Sequence, residues 1–581
     1  MKGKKQTMTN SIQEIHVQIK EIIIAAMGRG VADEVLPAVP APAFSIETPA
    51  DPSHGDFATN AAMVSAKAFR MPPRKIAEAI CERMDFTGTL IERAEVAGPG
   101  FINFFVSRRY FSDVLLGIHR DGADYGKSDF GKGKRVLVEF VSANPTGPMH
   151  IGNSRGGALG DCLAAVLEYA GYYVEREFYV NDAGNQIQKF ALSLDIRYQQ
   201  LFKGEEAVEL PEDSYHGADI MDLAKEFAGI HGDSYLDKTE EERRKALVDY
   251  ALPKNIARMK TDIAKYRITY DTWFLESTLH NDGEVKEIID ILTRKGLTYE
   301  KDGALWYKAT EFGGEKDEVL VRANGNPTYF AADIAYHRNK FEKRGFDTCI
   351  DVWGADHHGH VARMKGAMDA VGLDGSKLHV VLMQLVRLMD NGVLVKVSKR
   401  TGKAIQLADL LDEISVDAAR FFFNLREANT QMDFDMGLAV REDSQNPVYY
   451  VQYAHARICS IFRREEAKKF DLAAVSPESL DLLTHPSEVE LIRFLSSLPN
   501  EIVSAAKDYE PSRMTRYVME LAAKYHKFYH DCRVLGNEDD NLTAARLLLC
   551  DSVRQVIANI LAMLKVTAPD HMDSQSEDSA E

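Results

Sequence analysis

Arg135-Val-Leu-Val-Glu-Phe-Val-Ser-Ala-Asn-Pro-Thr-Gly-Pro-Met-His150-Ile-Gly-Asn153 decides how this chain is read. Arg135 to Val141 is an apolar, β-branched run that spells a buried strand. A loop rich in Pro and Gly follows, and from about Asn153 to Tyr169 the spacing is helical. Val174 to Val180 reads as the next strand. Strand, loop, helix and strand in that order open a doubly wound α/β fold of the Rossmann kind. Where such a strand hands over to its helix, backbone N–H groups and the positive helix end face a crevice that suits a phosphate. Gly152 permits close approach to the backbone, and the His150 ring is placed to donate to a phosphate oxygen. Alone, His-Ile-Gly reads more simply as a turn with a surface histidine.

On the C-terminal side, a charged, mostly helical stretch from about 186 to 265 interrupts the β/α pattern as an insertion. The pattern resumes at Cys349–Trp353 and His379–Met383, then strands largely stop after Ile405. From Asn446 to Leu564 the periodicity is helical, with an apolar face of Val553, Ile557, Ile560, Leu561 and Leu564. On the N-terminal side, Ile12, Val17, Ile22 and Ile23 predict an amphipathic first helix. Ala94–Val96 and Phe101–Val106 predict strands around the turn Gly98-Pro-Gly. The expected architecture is an α+β N-terminal domain (11–106), a Rossmann-like catalytic domain (107–404, insertion 186–265), a stem (405–445) and an all-helical domain (446–572). An acidic, Ser-rich tail (573–581) reads as disordered. No internal repeats stand out.

The formal net charge is -18, which argues mildly against a nucleic-acid partner but leaves room for a local basic groove. Six scattered cysteines contain no Cys-x-x-Cys pair, so neither a thiolate zinc site nor a redox pair is expected, and a reducing cytosol fits. No apolar run approaches the ~18–20 residues of a membrane span. Met1 to Asn10 is basic and polar, unlike a secretory leader.

Two further segments bear on the crevice. Lys396-Val-Ser-Lys399-Arg400, flanked by Asn391-Gly392 and Thr401-Gly402, reads as a loop able to close two lysines over a triphosphate, or as a solvated charge run. Trp353-Gly-Ala-Asp-His-His358 follows a strand and opens a helix; Gly354 permits close approach, and Asp356 suits ribose hydroxyls or a helix cap. Together with the first loop, these segments resemble the His-Ile-Gly-His and Lys-Met-Ser-Lys-Ser signatures of class I aminoacyl-tRNA synthetases. Asn153 replaces the last His, Val397 the Met and Arg400 the last Ser. The resemblance implies ATP as substrate, with Mg2+ but no visible protein cage for a metal. It assigns ATP to Thr146, Gly147, His150, Gly152, Asn153, Gly354, Asp356, His357, Val397, Ser398 and Lys399. His150, Lys396 and Lys399 become the catalytic donors that stabilise the departing pyrophosphate.

Longer strings narrow the match. Glu139 to His150, Asp347 to His358 and Val566-Thr-Ala-Pro-Asp-His-Met572 resemble the arginyl-tRNA synthetase family, and the likeness runs from about Ser11 to Met572. A guanidinium is planar, always charged and carries five donors, so its pocket needs carboxylates and flat hydrogen-bonding partners. The resemblance assigns arginine to Glu139, Ser142, Asn144, Tyr329, Asp333 and Gln384, with Glu276 as a further candidate. Without it, Glu139 and Asp333 read equally well as structural ion pairs. Tyr450, Tyr453, Tyr529 and Met572 become anticodon contacts, although aromatic stripes are more often core. Asn103 matches the position that reads a D-loop base of the tRNA elbow. The string His54–Asn60 is equally a turn or an RNA contact. The implied enzyme is a monomeric, cytoplasmic ligase joining arginine to tRNA(Arg) through an adenylate, with activation requiring bound tRNA. A class I synthetase for another amino acid and a non-catalytic tRNA-binding protein are the alternatives. Absent paired cysteines argue against the cysteinyl enzyme, and the retained His150, Lys396 and Lys399 argue against a dead one.

Overall fold

The structure, a computed structural model, describes residues 11–49, 51, 54–395 and 405–572. Its centre is a five-stranded parallel sheet. Across it lie Leu378–Met383, Thr348–Gly354, Arg135–Glu139, Tyr173–Val180 and Thr272–Leu275. The chain order reverses beside Arg135–Glu139, so a crevice opens at the carboxyl ends of that strand and Thr348–Gly354. Val136, Leu137 and Val138 are fully sheltered, which is what an apolar run buried on both faces demands. The helix Ile151–Tyr169 begins two residues before the periodic pattern does. Gly160 lets it approach the sheet, because a Cβ there would fall against the Phe140 ring.

The insertion is three helices, Gly184–Lys203, Ala218–His231 and Glu240–Lys265, with their own core around Phe190, Leu194, Phe227 and Leu247. Thr239 and Glu242 start the third helix with reciprocal hydrogen bonds of 3.2 and 3.0 Å.

In the N-terminal region, Phe101–Val106 lies between Phe57–Thr59 and Ile91–Ala97, all antiparallel. The first helix, Ser11–Ala32, buries Ile15, Ile19, Ile22, Ile23 and Ala26. Val17, expected on that face, is 55% exposed, because the buried stripe runs through positions the sequence reading passed over. His54–Asn60 is a tight turn that runs into the strand Phe57–Thr59. Gly55 adopts φ +88° against the Phe104 carbonyl, and Asp56 accepts from Val106 N at 2.9 Å while pairing with Arg493 of the helical region at 2.5 Å.

The C-terminal region is helical: Pro447–Arg463, Pro486–Ser496, Leu498–Asp508, Ser512–Asp531 and Asp540–Met563, with shorter turns between. Val553, Ile557, Ile560, Leu561 and Leu564 are all fully buried. One strand, Met432–Asp435, lies beyond Ile405 and pairs in parallel with Val386–Asp390. The helix Arg108–Asp121 packs on Asp540–Met563, and Asn559 Nδ2 donates to the carbonyls of Gly122 and Tyr125. No described helix is long and apolar enough to cross a membrane.

Candidate active site

The chain leaves Arg135–Glu139 through two non-glycine residues in left-handed backbone, Val141 at φ 70° and Ser142 at φ 42°. For a β-branched valine this is a strained state, of the kind retained at functional turns. The bend brings Ser142 Oγ back to donate to Glu139 Oε1 at 2.8 Å while accepting from Tyr179 N at 3.1 Å. The loop then exposes Asn144 and His150 and shelters Thr146. It borders a cleft of about 480 Å³ whose opposite wall is the insertion, through Tyr215, Asp219 and Ile220. Sequence reading gave the insertion no part in the site.

Asn153 clarifies the departure from the family signature. Its Oδ1 accepts from His150 N at 3.0 Å, so the amide oxygen holds the helix start. Asn255, in the third insertion helix, donates to Pro145 O at 3.0 Å and is 7% exposed. This clamp fixes the loop that borders the cleft. Asn255→Ala is expected to loosen the loop at a cost of about 1 kcal/mol, seen as faster hydrogen exchange over 143–150. Exchange unchanged from the parent protein would show the clamp to be idle.

Lys396, Val397, Ser398 and Lys399 lie outside the described residues. The segment just after them is tied to the loop that carries His150. His150 and Gln406 form an antiparallel bridge, Ile151 N donates to Ile405 O at 3.3 Å, and Leu407 N donates to Met149 O at 3.0 Å. Lys399 stands six residues before Ile405, a span of at most about 20 Å of extended chain.

Across the crevice, Thr348–Gly354 ends in a single tight turn, Ala355–His357, before the helix His358–Val371. A Cβ on Gly354 would collide with the folded-back Asp356 carboxylate. Asp356 and His357 are exposed, and no side-chain cap bond forms at that helix start, so the capping reading of Asp356 is not seen. Gln384 follows the edge strand. Its segment is held by Arg155, which is fully buried and donates from Nη1 to the carbonyls of Gln384 (2.8 Å) and Thr430 (3.0 Å), and from Nη2 to that of Glu427 (2.8 Å). Burial without a carboxylate partner lowers this guanidinium to about 10.

The carboxylates differ in their partners. Glu139 is 7% exposed, and both its oxygens are engaged: Oε1 by Ser142, and Oε2 by Tyr336 Oη at 2.9 Å and Lys340 Nζ at 2.6 Å. The structural ion pair is therefore the reading its surroundings favour, and a free carboxylate for the substrate is not what the geometry offers there. Burial lifts the Glu139 carboxyl, Lys340 opposes this, and Asp351 adds to the rise. Nearer the opening, Tyr329 is 70% exposed at the start of the helix Tyr329–Arg338, and Asp333 lies one turn on with its side chain 29% exposed. Asp333 accepts from His360 Nε2 at 3.2 Å. Glu276, 6% exposed, accepts from Tyr179 Oη at 2.9 Å. Burial raises the Glu276 carboxyl, the Tyr179 and His280 hydrogen bonds oppose that, and the nearby Asp333 charge adds to it. Among the described residues neither Glu276 nor Asp333 has a lysine or arginine ion-pair partner.

In the helical region, His526 stands between Tyr450 (ring centroids 5.1 Å apart) and Tyr453 (6.4 Å). Arg457 lies over the Tyr529 ring at 4.5 Å. All three tyrosines are half-buried, as is Met572, whereas Tyr525 is core. Burial, with Arg457 beside it, holds His526 down at about 4, so it stays neutral at physiological pH. Asn103 is 8% exposed on the middle strand of its sheet, with backbone partners on both sides.

Comparison with known proteins agrees with this geometry. The chain matches "Arginyl tRNA synthetase N terminal domain" over 13–106, "tRNA synthetases class I (R), catalytic domain" over 118–458 and "DALR anticodon binding domain" over 451–572. It is 54% identical to the arginine–tRNA ligase of Acetivibrio thermocellus and 55% identical to that of Caldanaerobacter subterraneus subsp. tengcongensis, over 97% of this chain and 100% of each relative. An arginyl-tRNA synthetase structure from Campylobacter jejuni superposes with TM-score 0.72 at 33% identity, over 80% of this chain and 100% of that one. The Thermus thermophilus arginyl-tRNA synthetase shares the fold, with TM-score 0.71 at 22% identity over 95% of this chain and 100% of that one. A crevice at the sheet's reversal point, the neighbouring carboxylates Glu276 and Asp333 with no lysine or arginine ion-pair partner among the described residues, and these three domain matches have one common reading: the chain belongs to the arginyl-tRNA synthetase family.

Proposed function

We propose that this enzyme charges tRNA(Arg) with arginine in two steps. The arginine carboxylate attacks the α-phosphate of ATP, releasing pyrophosphate, and the tRNA 3′ end then takes arginine from the adenylate. The observation that carries the arginine assignment is the pair Glu276 and Asp333, two neighbouring carboxylates without a lysine or arginine ion-pair partner among the described residues. A bound guanidinium supplies the missing cation with matching planar geometry. In this reading Tyr329 flanks the guanidinium, while Asn144 and Gln384 hold the α-amino and carboxylate end. Glu139, engaged by Lys340 and Tyr336, orients Ser142.

ATP is assigned to Thr146, Gly147, His150, Gly152 and Asn153 on one side and to Gly354, Asp356 and His357 on the other. Val397, Ser398 and Lys399 are proposed to close over the phosphates, with Lys396 beside them. Among the described residues no three His, Cys, Asp or Glu ligand atoms gather at the nucleotide loop, so Mg2+ is proposed to arrive on the nucleotide. Residues 11–106 are assigned to the tRNA elbow through Asn103, 107–404 to catalysis, 405–445 to the stem, and 446–572 to the anticodon through Tyr450, Tyr453, Tyr529 and Met572. The tail 573–581 lies outside the described residues. The enzyme is read as a cytoplasmic monomer.

The deciding experiment charges total tRNA with labelled arginine, with and without ATP; incorporation that ignores ATP, or that favours another amino acid, sinks the proposal. Pyrophosphate exchange is expected only once tRNA(Arg) is added, and brisk exchange by the protein alone would remove the tRNA requirement. Lys399→Ala is expected to slow charging on the order of 10²-fold, because it removes a preorganised donor to the departing pyrophosphate. Its affinity for tRNA should be nearly unchanged in filter binding, and full charging would exclude the assigned role.

A further inference from the structure

Away from the catalytic crevice, three unlike ligand groups meet beside the C-terminal segment. His455 and Cys459 stand one turn apart on the helix Pro447–Arg463, and Asp570 reaches them from beyond the last helix. One ligand atom from each lies within 4.8 Å of the others. Cys459 Sγ is 3.7 Å from His455 Nδ1 and 3.5 Å from Asp570 Oδ1. In a tetrahedral site with bonds of about 2.3 Å to sulfur and about 2.0–2.1 Å to nitrogen or oxygen, ligand atoms stand about 3.5 Å apart. The two separations from sulfur are close to that value, and the third ligand pair lies within 4.8 Å. His455 is buried, Cys459 half-buried and Asp570 exposed, so solvent has access from one side.

We propose that His455, Cys459 and Asp570 bind a divalent metal ion of the zinc type, which clasps the C-terminal segment to the helix Pro447–Arg463. A thiolate, an imidazole and a carboxylate together select zinc or cobalt over magnesium or calcium. On binding, the Cys459 S–H bond breaks, a sulfur–metal bond forms and the proton passes to water. His455 Nδ1 now donates to Pro569 O at 2.9 Å; it gives that proton to solvent, takes one up at Nε2 and binds through the freed lone pair. The Pro569 carbonyl is left beside the ion as a further oxygen donor. Two arginines lie near without occupying the ligand atoms. Arg463 donates to the Asp570 backbone carbonyl at 2.7 Å, and Arg554 pairs with Asp551 at 2.6 Å. The clasp reinforces a strap already in place, where Gln452 Nε2 donates to Thr567 O at 2.9 Å. Met572 lies two residues past Asp570, so the ion would fix the edge assigned to the anticodon; the site itself does not depend on that assignment.

The test uses the full-length protein, stripped with a chelator and dialysed, with Co2+ alone as the probe. Thiolate-to-cobalt charge-transfer absorption is expected to saturate at one equivalent and to disappear on adding Zn2+. Cys459→Ser should abolish the absorption, and Asp570→Asn, at an exposed position that does not threaten folding, should weaken binding. Hydrogen exchange over 566–572 should slow on adding Zn2+ in the parent protein and not in Cys459→Ser. Absence of the charge-transfer band, or its survival in Cys459→Ser through another cysteine such as Cys81, would overturn the proposal.

Discussion

Glu276→Gln and Asp333→Asn are each expected to lower kcat/KM for arginine about 10³-fold, some 4 kcal/mol, with KM for ATP nearly unchanged. The magnitude follows from what each variant leaves behind. A guanidinium drawn out of water into this crevice needs its charge matched and its fork of donors accepted. With one carboxylate made neutral, one half of that match is lost and the amide brings donors that face the ligand's own donors. The two carboxylates also push on each other when arginine is absent: the Asp333 charge raises the Glu276 carboxyl. A guanidinium bound between them would relieve that repulsion, which adds to the effect expected of either variant. Steady-state charging at saturating ATP and tRNA separates the cases. A variant with wild-type kcat/KM for arginine would exclude its residue from the pocket.

Much of this arrangement is legible in the sequence, for a physical reason. A parallel strand buried on both faces must be a continuous apolar run, and the turn that follows must carry Pro, Gly and polar residues. The 135–153 stretch therefore announces both a strand and a crevice. What escapes is any partnership between distant positions. Glu139 in an apolar strand signals a missing cation, which the sequence leaves open between a structural partner and, by the family resemblance, the substrate. The structure supplies Lys340, 201 positions away, from a π turn that continues the helix Tyr329–Arg338. Nothing in Asn-Lys-Phe-Glu-Lys announces that turn. Asn255 is equally silent, as one amide among the charges of a long helix, and so is the meeting of Cys459 with Asp570 across 111 positions. Asn153 shows the opposite case: the position was found from its motif, and only its hydrogen-bond partner needed the structure.

Lys340→Met is expected to destabilise the catalytic region by about 3–5 kcal/mol, seen as an earlier first transition in thermal unfolding. Lys340 is fully buried, bonded to Glu139 Oε2 at 2.6 Å and Asp351 Oδ1 at 2.9 Å, and its ammonium lies 4.1 Å from the Tyr336 ring centroid. Methionine fills the space but leaves two sheltered carboxylates in adjacent strands without their shared cation. The pH dependence separates this account from a packing defect. In the parent protein burial alone would raise Asp351, yet Lys340 and the His337 hydrogen bond outweigh it and hold the carboxyl at about 2. A depressed carboxyl contributes stability that is present above its unfolded value and lost as pH falls through the folded one, here from about 4 towards 2. In Lys340→Met the Glu139 carboxyl, already raised by burial, loses the cation that opposes its rise, and Asp351 keeps only His337 against its own burial, so protonation favours the folded state and stability should improve as pH falls from neutrality towards 5. A variant that melts early by the same margin at every pH from 5 to 7.5 would show that Lys340 serves packing and not charge.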